Sequence, residues 1–340
     1  MRIAKTRLSL GLAFITLLSA CGGGGSGTVT APSTGSSPTP SPGVSPSPAP
    51  GPGAASGELK PSADATFIAA LLQMTTTVGT TSELTGQTSG GTTSNRSVTL
   101  DTPGFSASYS VGTGYSLADS FNRSIFGLAQ LTSDTTASDP FHPTVLFTRP
   151  AAGAVDYLAL YKFKVTTTSI LGSGSVEPRY GGVGGWQHSI ADPGARRTRL
   201  NYFAFGPVTP VAAMPRSGVV KFTLMGSGNY AGDSDLYFAS QSDTITVDFG
   251  TGSVTGSLSA NGSNLFTGGF GGIYSARLNG TISGNAVAGP TSSSVAVASG
   301  EFRLLFVGPS ADEIIVTHVG QNGRGHYVSA AVGVRNPYLP

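Results

Sequence analysis

The chain has 340 residues, of which 11% are charged and 49 are glycine; average soluble domains carry roughly 25% charged residues and about 7% glycine. So few Lys, Glu and Arg side chains exclude a mainly helical architecture, and abundant Ser, Thr and Val with spaced aromatics fit many short strands joined by tight turns. The formal net charge of +2 is small and unclustered, which excludes nucleic acid as a partner, because phosphate backbones are held by grouped Lys and Arg.

Arg2, Lys5 and Arg7 precede an apolar run from Leu8 to Leu18 that is too short for a permanent membrane span and reads as a secretion signal over residues 1–20. The residues that close it, Leu18-Ser19-Ala20-Cys21, resemble the lipobox of bacterial lipoproteins, in which cleavage ahead of the cysteine frees its thiol and amino group for acylation. Cys21 is the only cysteine, so its lipidation leaves no disulfide, and the fold must rest on packing and hydrogen bonds. A single acyl chain, at roughly 0.8 kcal/mol per buried methylene, holds only marginally; the resemblance implies several chains on Cys21. Gly22 stands where lipoproteins kept in the inner membrane tend to have Asp, so the resemblance implies an outer-membrane anchor, facing the cell surface or the periplasm. Three of the 19 basic residues lie in the signal, leaving 16 against 17 acidic residues, a net charge of −1.

Residues 21–57 are Gly-rich and then Ser/Pro-rich, with Pro at nearly every second position from Pro38 to Pro52. They read as a disordered tether. Extended Pro-rich chain at about 3.1 Å per residue gives this part a reach of roughly 50 Å. Recognition by proline-reading modules is the competing use, but no basic residue flanks a Pro-x-x-Pro core here.

Residues 58–215 form a less regular, handle-like β-rich region. Pro61-Ser62 followed by Phe67, Ala70, Leu71 and Met74 predicts one short helix. Strand-like pieces follow at 97–100, 144–148, 157–165 and 200–205. The run Tyr180-Gly181-Gly182-Val183-Gly184-Gly185-Trp186 reads as a flexible glycine-rich loop. Tyr180 and Trp186 are therefore candidate ligand-binding aromatics, with Trp186 folded back into a core as the simpler alternative. Arg196, Arg197 and Arg199 make the densest positive patch; Arg196 and Arg197 are candidate contacts for an anionic ligand or lipid headgroup, with a solvated strand edge as the simpler alternative.

From residue 216 to 340 the alternation is cleaner. Ile245, Val247 and Phe249 alternate with Thr244, Thr246 and Asp248, placing one face in a core and one toward water. Eight strands are predicted, at 219–226, 243–249, 253–259, 264–270, 273–282, 301–307, 313–319 and 326–334. Asn261-Gly262 and Asn322-Gly323 predict hairpin turns. Eight consecutive antiparallel strands suffice to close a barrel filled by its own side chains. The strands are too short and too rich in Gly and Thr for an apolar membrane-facing band.

No catalytic constellation is present. The chain lacks a Gly-x-Ser-x-Gly elbow, and His142, His188, His318 and His326 show no metal-site spacing. His318 and His326 flank the Asn322-Gly323 turn and could pair across a hairpin as metal ligands, but strand histidines satisfied by solvent or backbone explain them more simply. Asp233 and Asp235 lack the other ligands of a calcium loop. No cofactor or metal is expected.

Tyr202-Phe203-Ala204-Phe205-Gly206-Pro207-Val208-Thr209-Pro210, then Met214-Pro215-Arg216-Ser217-Gly218-Val219 and Gly228-Asn229-Tyr230, resemble the entry to the β-barrel domain of transferrin-binding protein B-like surface lipoproteins. Val247-Asp248-Phe249, Gly300-Glu301-Phe302 and Phe306-Val307-Gly308-Pro309 through Ala311 to Glu313 are similar to that domain's recurrent strand edges. The resemblance covers about residues 202–334 and implies an all-β lobe, a handle followed by an eight-stranded antiparallel β-barrel, on a lipid tether. It further implies a monomeric, non-enzymatic module binding a protein or small, possibly metal-related, ligand. Two features depart from the family. There is one lobe rather than two, and Ile314-Ile315-Val316 follow Glu313 where the family has Gly-Gly, so transferrin is not the expected ligand. A structural envelope role and an extracytoplasmic hydrolase are the alternatives.

Overall fold

The computed structural model describes residues 65–67, 69–80, 91–100, 105–134, 143–169, 172–192, 195–232, 235–265, 267–293 and 299–336; Cys21, the tether, His142 and Asp233 lie outside them. The handle contains β1 (Ala65–Phe67), β2 (Ala69–Thr80), β3 (Gly91–Leu100), β4 (Ser106–Ser110), β5 (Gly114–Ala118), β6 (Arg123–Phe126), β7 (Leu131–Asp134), β8 (Val145–Ala151), β9 (Ala154–Tyr161), β10 (Val165–Ser169), β11 (Gly172–Val176), β12 (Gly182–Asp192) and β13 (Ala195–Phe205). They form a seven-stranded sheet in the order β3-β2-β13-β12-β9-β8-β7, a four-stranded sheet β1-β4-β5-β6 and the hairpin β10-β11. The helix expected around Phe67–Met74 is instead strand. β2 pairs along β13, with Met74 opposite Leu200, and its β-branched run Thr75-Thr76-Thr77-Val78 favours that extended pairing.

The glycine-rich run 180–186 is likewise not a loop. Gly182 onward is β12, between β9 and β13 in the large sheet. Its glycines serve close approach: a Cβ on Gly184 would lie 2.2 Å from Phe203 Cζ, and one on Gly182 would lie 2.5 Å from Phe205 Cζ. The cross-strand phenylalanines lie flat over a backbone that has no side chains in their way.

β14 (Val219–Gly232), β15 (Leu236–Asp248), β16 (Ser253–Asn264), β17 (Phe270–Ser283), β18 (Ala286–Ser292), β19 (Ser299–Val307), β20 (Glu313–Asn322) and β21 (Gly325–Arg335) form a closed antiparallel barrel, sealed where β21 pairs with β14. The number of strands is the expected eight, but two positions differ. Residues 264–270 are mostly the connection into β17, and the strand left out is β18, whose Gly289-Pro290 sequence has weak strand propensity and is held by pairing with β19. Asn261-Gly262 is not a turn; it lies within β16 beside a register shift, where a Cβ on Gly262 would stand 2.3 Å from Phe238 O. At Asn322-Gly323 the chain does reverse, with Asn322 Oδ1 accepting the N–H groups of Arg324 and Gly325 at 2.9 and 2.8 Å.

Inside the barrel, Phe222, Ile245, Val247, Leu258, Phe302 and Phe306 pack one half. Tyr230, Tyr274 and Tyr327 fill the other with His318 among them. The outward face of β15–β19 carries exposed Ser242, Thr244, Thr255, Ser275, Arg277, Thr281, Glu301 and Arg303, a wall for water rather than for lipid. β20 and β21 are buried on both sides. Ile314 and Val316 point inward, while Ile315, Val319, Val328 and Val332 pack outward on Val183, Leu200, Tyr202 and Ala204 of the large sheet. Two-sided burial explains why these strands read as continuous apolar runs.

Three of the motif residues, Thr209, Gly308 and Glu313, meet at the joint between handle and barrel. Thr209 donates its hydroxyl to Gly308 O at 2.6 Å, and its own N–H bonds Phe306 O. Gly308 adopts positive φ, and a Cβ there would press on the Tyr180 ring at 2.8 Å. Glu313, almost fully buried, accepts the backbone N–H groups of Arg179, Tyr180 and Gly181 at 2.6, 3.0 and 2.8 Å.

Candidate functional site

Of the residues singled out in the sequence, Tyr180 packs half-buried at the joint, and Trp186 is 0% exposed in the core between the two handle sheets. β13 carries Arg196 and Arg197 opposite Val78 and Thr77 of β2. His318 lies across from Ser329, and His326 lies across from Gln321, so the two histidines do not oppose each other. Asp235 Oδ1 accepts a hydrogen bond from Asn264 Nδ2 at 2.6 Å, a turn-building role. Among the described residues no group of three or more His, Cys, Asp or Glu could hold a metal ion, and no helix is long and apolar enough to cross a membrane.

The structure gathers a different set of residues beside the four-stranded sheet. β8, β9, β12 and β13 place Arg149, Asp156, His188 and Arg199 together on the face that this sheet covers. Asp156 is buried and accepts the Ser124 hydroxyl at 2.8 Å, bonds His188 Nδ1 and pairs with Arg149 at 3.5 Å. Arg199 lies 3.9 Å from Asp119 and stacks over the Phe121 ring at 3.8 Å. Asp119 also closes the β5–β6 turn by accepting the N–H groups of Phe121 and Asn122, both at 2.8 Å. Serine, histidine and aspartate therefore meet here, but the hydroxyl donates to the carboxylate and not to the imidazole. That arrangement orients side chains without activating a nucleophile.

Asp156 thus ties the two handle sheets together. Asp156→Asn should lower stability by about 2 kcal/mol, because buried charge-assisted hydrogen bonds outweigh exposed ion pairs and the half-exposed Arg149 adds little. Thermal melts of the two proteins measure this, and an unchanged midpoint would remove the tie.

Four large apolar side chains in the same stretch of chain are exposed. Phe121 is 70% and Leu128 75% exposed, with Val111 and Ile125 also open to solvent; all four fall within residues 111–128. Beside them runs a groove of about 670 Å³ lined by Thr113, Arg123, Ile125, Gly127, Gln130 and Arg149. Sequence reading missed this region. The signals were present as aromatics Phe105, Tyr109 and Tyr115 spaced around Gly112 and Gly114, and as Asp156 set within an otherwise apolar stretch.

No protein-family model matches the chain, and no curated protein is similar to it in sequence. Among solved structures it is similar to intact Ap-TbpB with its N and C lobes (10% identity, TM-score 0.39, covering 80% of this chain and 77% of that one). It is also similar to HpuA from Kingella denitrificans in complex with human haemoglobin (13% identity, TM-score 0.37, 85% and 92% covered). The N-lobe domain of lactoferrin binding protein B of Moraxella bovis is a third (11% identity, TM-score 0.34, 54% and 99% covered). They are of the class that the sequence motifs resemble, and the eight-stranded barrel implied by that resemblance is present. At such TM-scores and identities the likeness says nothing about what this chain binds.

Proposed function

We propose that this chain is a non-enzymatic binding lobe, held at an outer membrane by acylated Cys21, that takes a protein partner on the four-stranded sheet of its handle. The observation that carries the reading is that Val111, Phe121, Ile125 and Leu128, all in or next to one small sheet, are exposed within eighteen residues of chain, whereas the eight strands of the barrel expose only Val219 and Phe270 among their described large apolar side chains. Exposed large apolar side chains set among charged ones mark interaction surfaces. Phe121, stacked on Arg199, supplies the aromatic–arginine combination from which hot spots are built. Arg196 and Arg197 lie a few residues beyond Arg199 on β13 and are retained as candidate partner contacts; Tyr180 and Trp186 belong to the joint and the core.

One experiment separates anchor from binding face. Cells carrying Cys21→Ser should move the protein from membrane to soluble fraction without changing what it captures from envelope extract or growth medium. Phe121→Asp with Leu128→Asp should abolish capture and leave the protein on the membrane, while Phe270→Asp, a control at another exposed aromatic, should change neither. Capture that survives the handle substitutions overturns the face, and retention of the Cys21→Ser protein overturns the anchor.

A further inference from the structure

The four-stranded sheet ends at β6, and of the strands that end a handle sheet among the described residues this one borders a groove. Every strand sends half of its N–H and C=O groups to each side. Those of β6 that face β5 are used in the ladder, whereas no residue of Arg123–Phe126 takes part in a further backbone hydrogen bond among the described residues. Unpaired edges are ordinarily covered, or blunted by proline or bulges. This one opens into the groove beside β8, whose volume of about 670 Å³ lies within the range of roughly 300–1,000 Å³ for built ligand sites. Ser124 and Phe126 turn inward, and Arg123 and Ile125 turn outward.

The groove also has a sign. Its lining contains two arginines and no carboxylate. Arg149 is engaged with Asp156 from the buried side, whereas Arg123 is exposed and has no ion pair among the described residues. A second copy of this chain would bring its own Arg123 and Arg149 into the same groove, which like-charge repulsion disfavours.

We propose that a partner protein adds an extended segment, with acidic residues among β-branched ones, to the free edge of β6 as a fifth strand of the sheet. Main-chain pairing to β6 supplies the attachment, carboxylates meeting Arg123 and Arg149 supply the selectivity, and an apolar side chain beside Ile125 and Leu128 completes the seat. The proposal rests on the handle face being the binding face and names the kind of segment it takes.

The test uses the Cys21→Ser chain in solution and an eight-residue probe, Thr-Glu-Val-Asp-Val-Glu-Ile-Thr. Two further versions of the probe are N-methylated at alternate residues in the two opposite frames. Strand addition requires the N–H groups of one frame only. One methylated version should therefore lose binding and the other keep it, with NMR shifts centred on Arg123–Phe126. Arg123→Glu should weaken the unmodified probe about tenfold or more, and a probe with Lys at its acidic positions should not bind. The proposal is overturned if the probe fails to bind at roughly 1 mM, or if both methylated frames bind alike. It is equally overturned if the shifts lie elsewhere, or if sedimentation shows a dimer lost on Ile125→Asp, making a second copy the occupant. Equal binding of the two frames while Phe121→Asp with Leu128→Asp still abolishes capture would leave the face standing without strand addition. Frame-selective binding with capture unaffected would do the reverse.

Discussion

Replacing Glu313 with alanine is expected to cost about 3–5 kcal/mol, the largest effect of any single side chain at the joint. Its carboxylate accepts three consecutive backbone N–H groups, from Arg179, Tyr180 and Gly181, in a place closed to solvent. Without the side chain those donors stay buried, and each unsatisfied group costs about 1–3 kcal/mol. Two effects oppose each other at the carboxyl. Burial raises its pKa and the three N–H donors lower it, with burial prevailing, so part of the loss on truncation is returned as relief of a desolvated charge. Glu313→Gln should not rescue the protein, because the amide brings two donors into a nest of donors and offers one acceptor. Thermal melting of the Cys21→Ser chain with and without these substitutions provides the measurement. For a protein of this size, about 2–4 °C per kcal/mol gives a drop of roughly 10 °C. A glutamine variant as stable as the parent would show that the three N–H groups find other partners.

The second large effect is acid sensitivity centred on His318. The ring lies fully buried inside the barrel, against Tyr274 and Tyr327, with Nε2 3.1 Å from the Thr291 hydroxyl and 3.5 Å from that of Tyr274. Burial depresses its pKa from 6.5 to about 3. The imidazole is thus neutral when folded and takes up a proton when unfolded. A depressed value means stability that is complete above pH 6.5 and is lost as pH falls from 6.5 toward 3. The limiting slope is about 1.4 kcal/mol per pH unit, so the parent should lose about 2 kcal/mol between pH 7 and pH 5 that His318→Gln does not lose. Asp243 and Glu313, whose pKa values burial raises, act in the opposite sense. They hold protons more tightly when folded and offset the loss in both proteins alike, so the difference between the parent and His318→Gln from pH 7 to 5 is the informative quantity. Urea midpoints of the two proteins across that interval decide the matter. Parallel curves would mean that the barrel opens to solvent at His318 before the protein unfolds.

The proposed binding face was the least legible part of the chain, and for a definite reason. Phe121, Ile125 and Leu128 are as apolar as Phe126 and Leu117, which are fully buried, and nothing local separates the two sets. β6 alternates Arg123, Ser124, Ile125 and Phe126, and only the position of the large sheet beneath decides that the serine and the phenylalanine go in and the isoleucine stays out. Asp156 and His188 are 32 residues apart and meet because β9 and β12 are neighbours, a pairing that no local pattern announces. The glycines of β12 misled in the opposite direction. Glycine in a run ordinarily signals a loop, but here it clears space for Phe203 and Phe205 on the adjoining strand.

What the sequence by itself determined was the class of structure. Low charge, high glycine and period-two alternation in segments such as Thr244–Phe249 sufficed for an all-β chain and for seven of the eight barrel strands, since side-chain alternation is a local property of extended backbone. The motif residues Thr209, Gly308 and Glu313 were visible too, but their task was not, because each acts on a partner about 100 residues or more away. Tertiary structure alone decided which apolar residues are left outside, which buried carboxylate holds the two halves together, and which strands end a sheet among the described residues. Each of these depends on what lies across a layer, and layers form by long-range pairing that no short stretch of chain encodes.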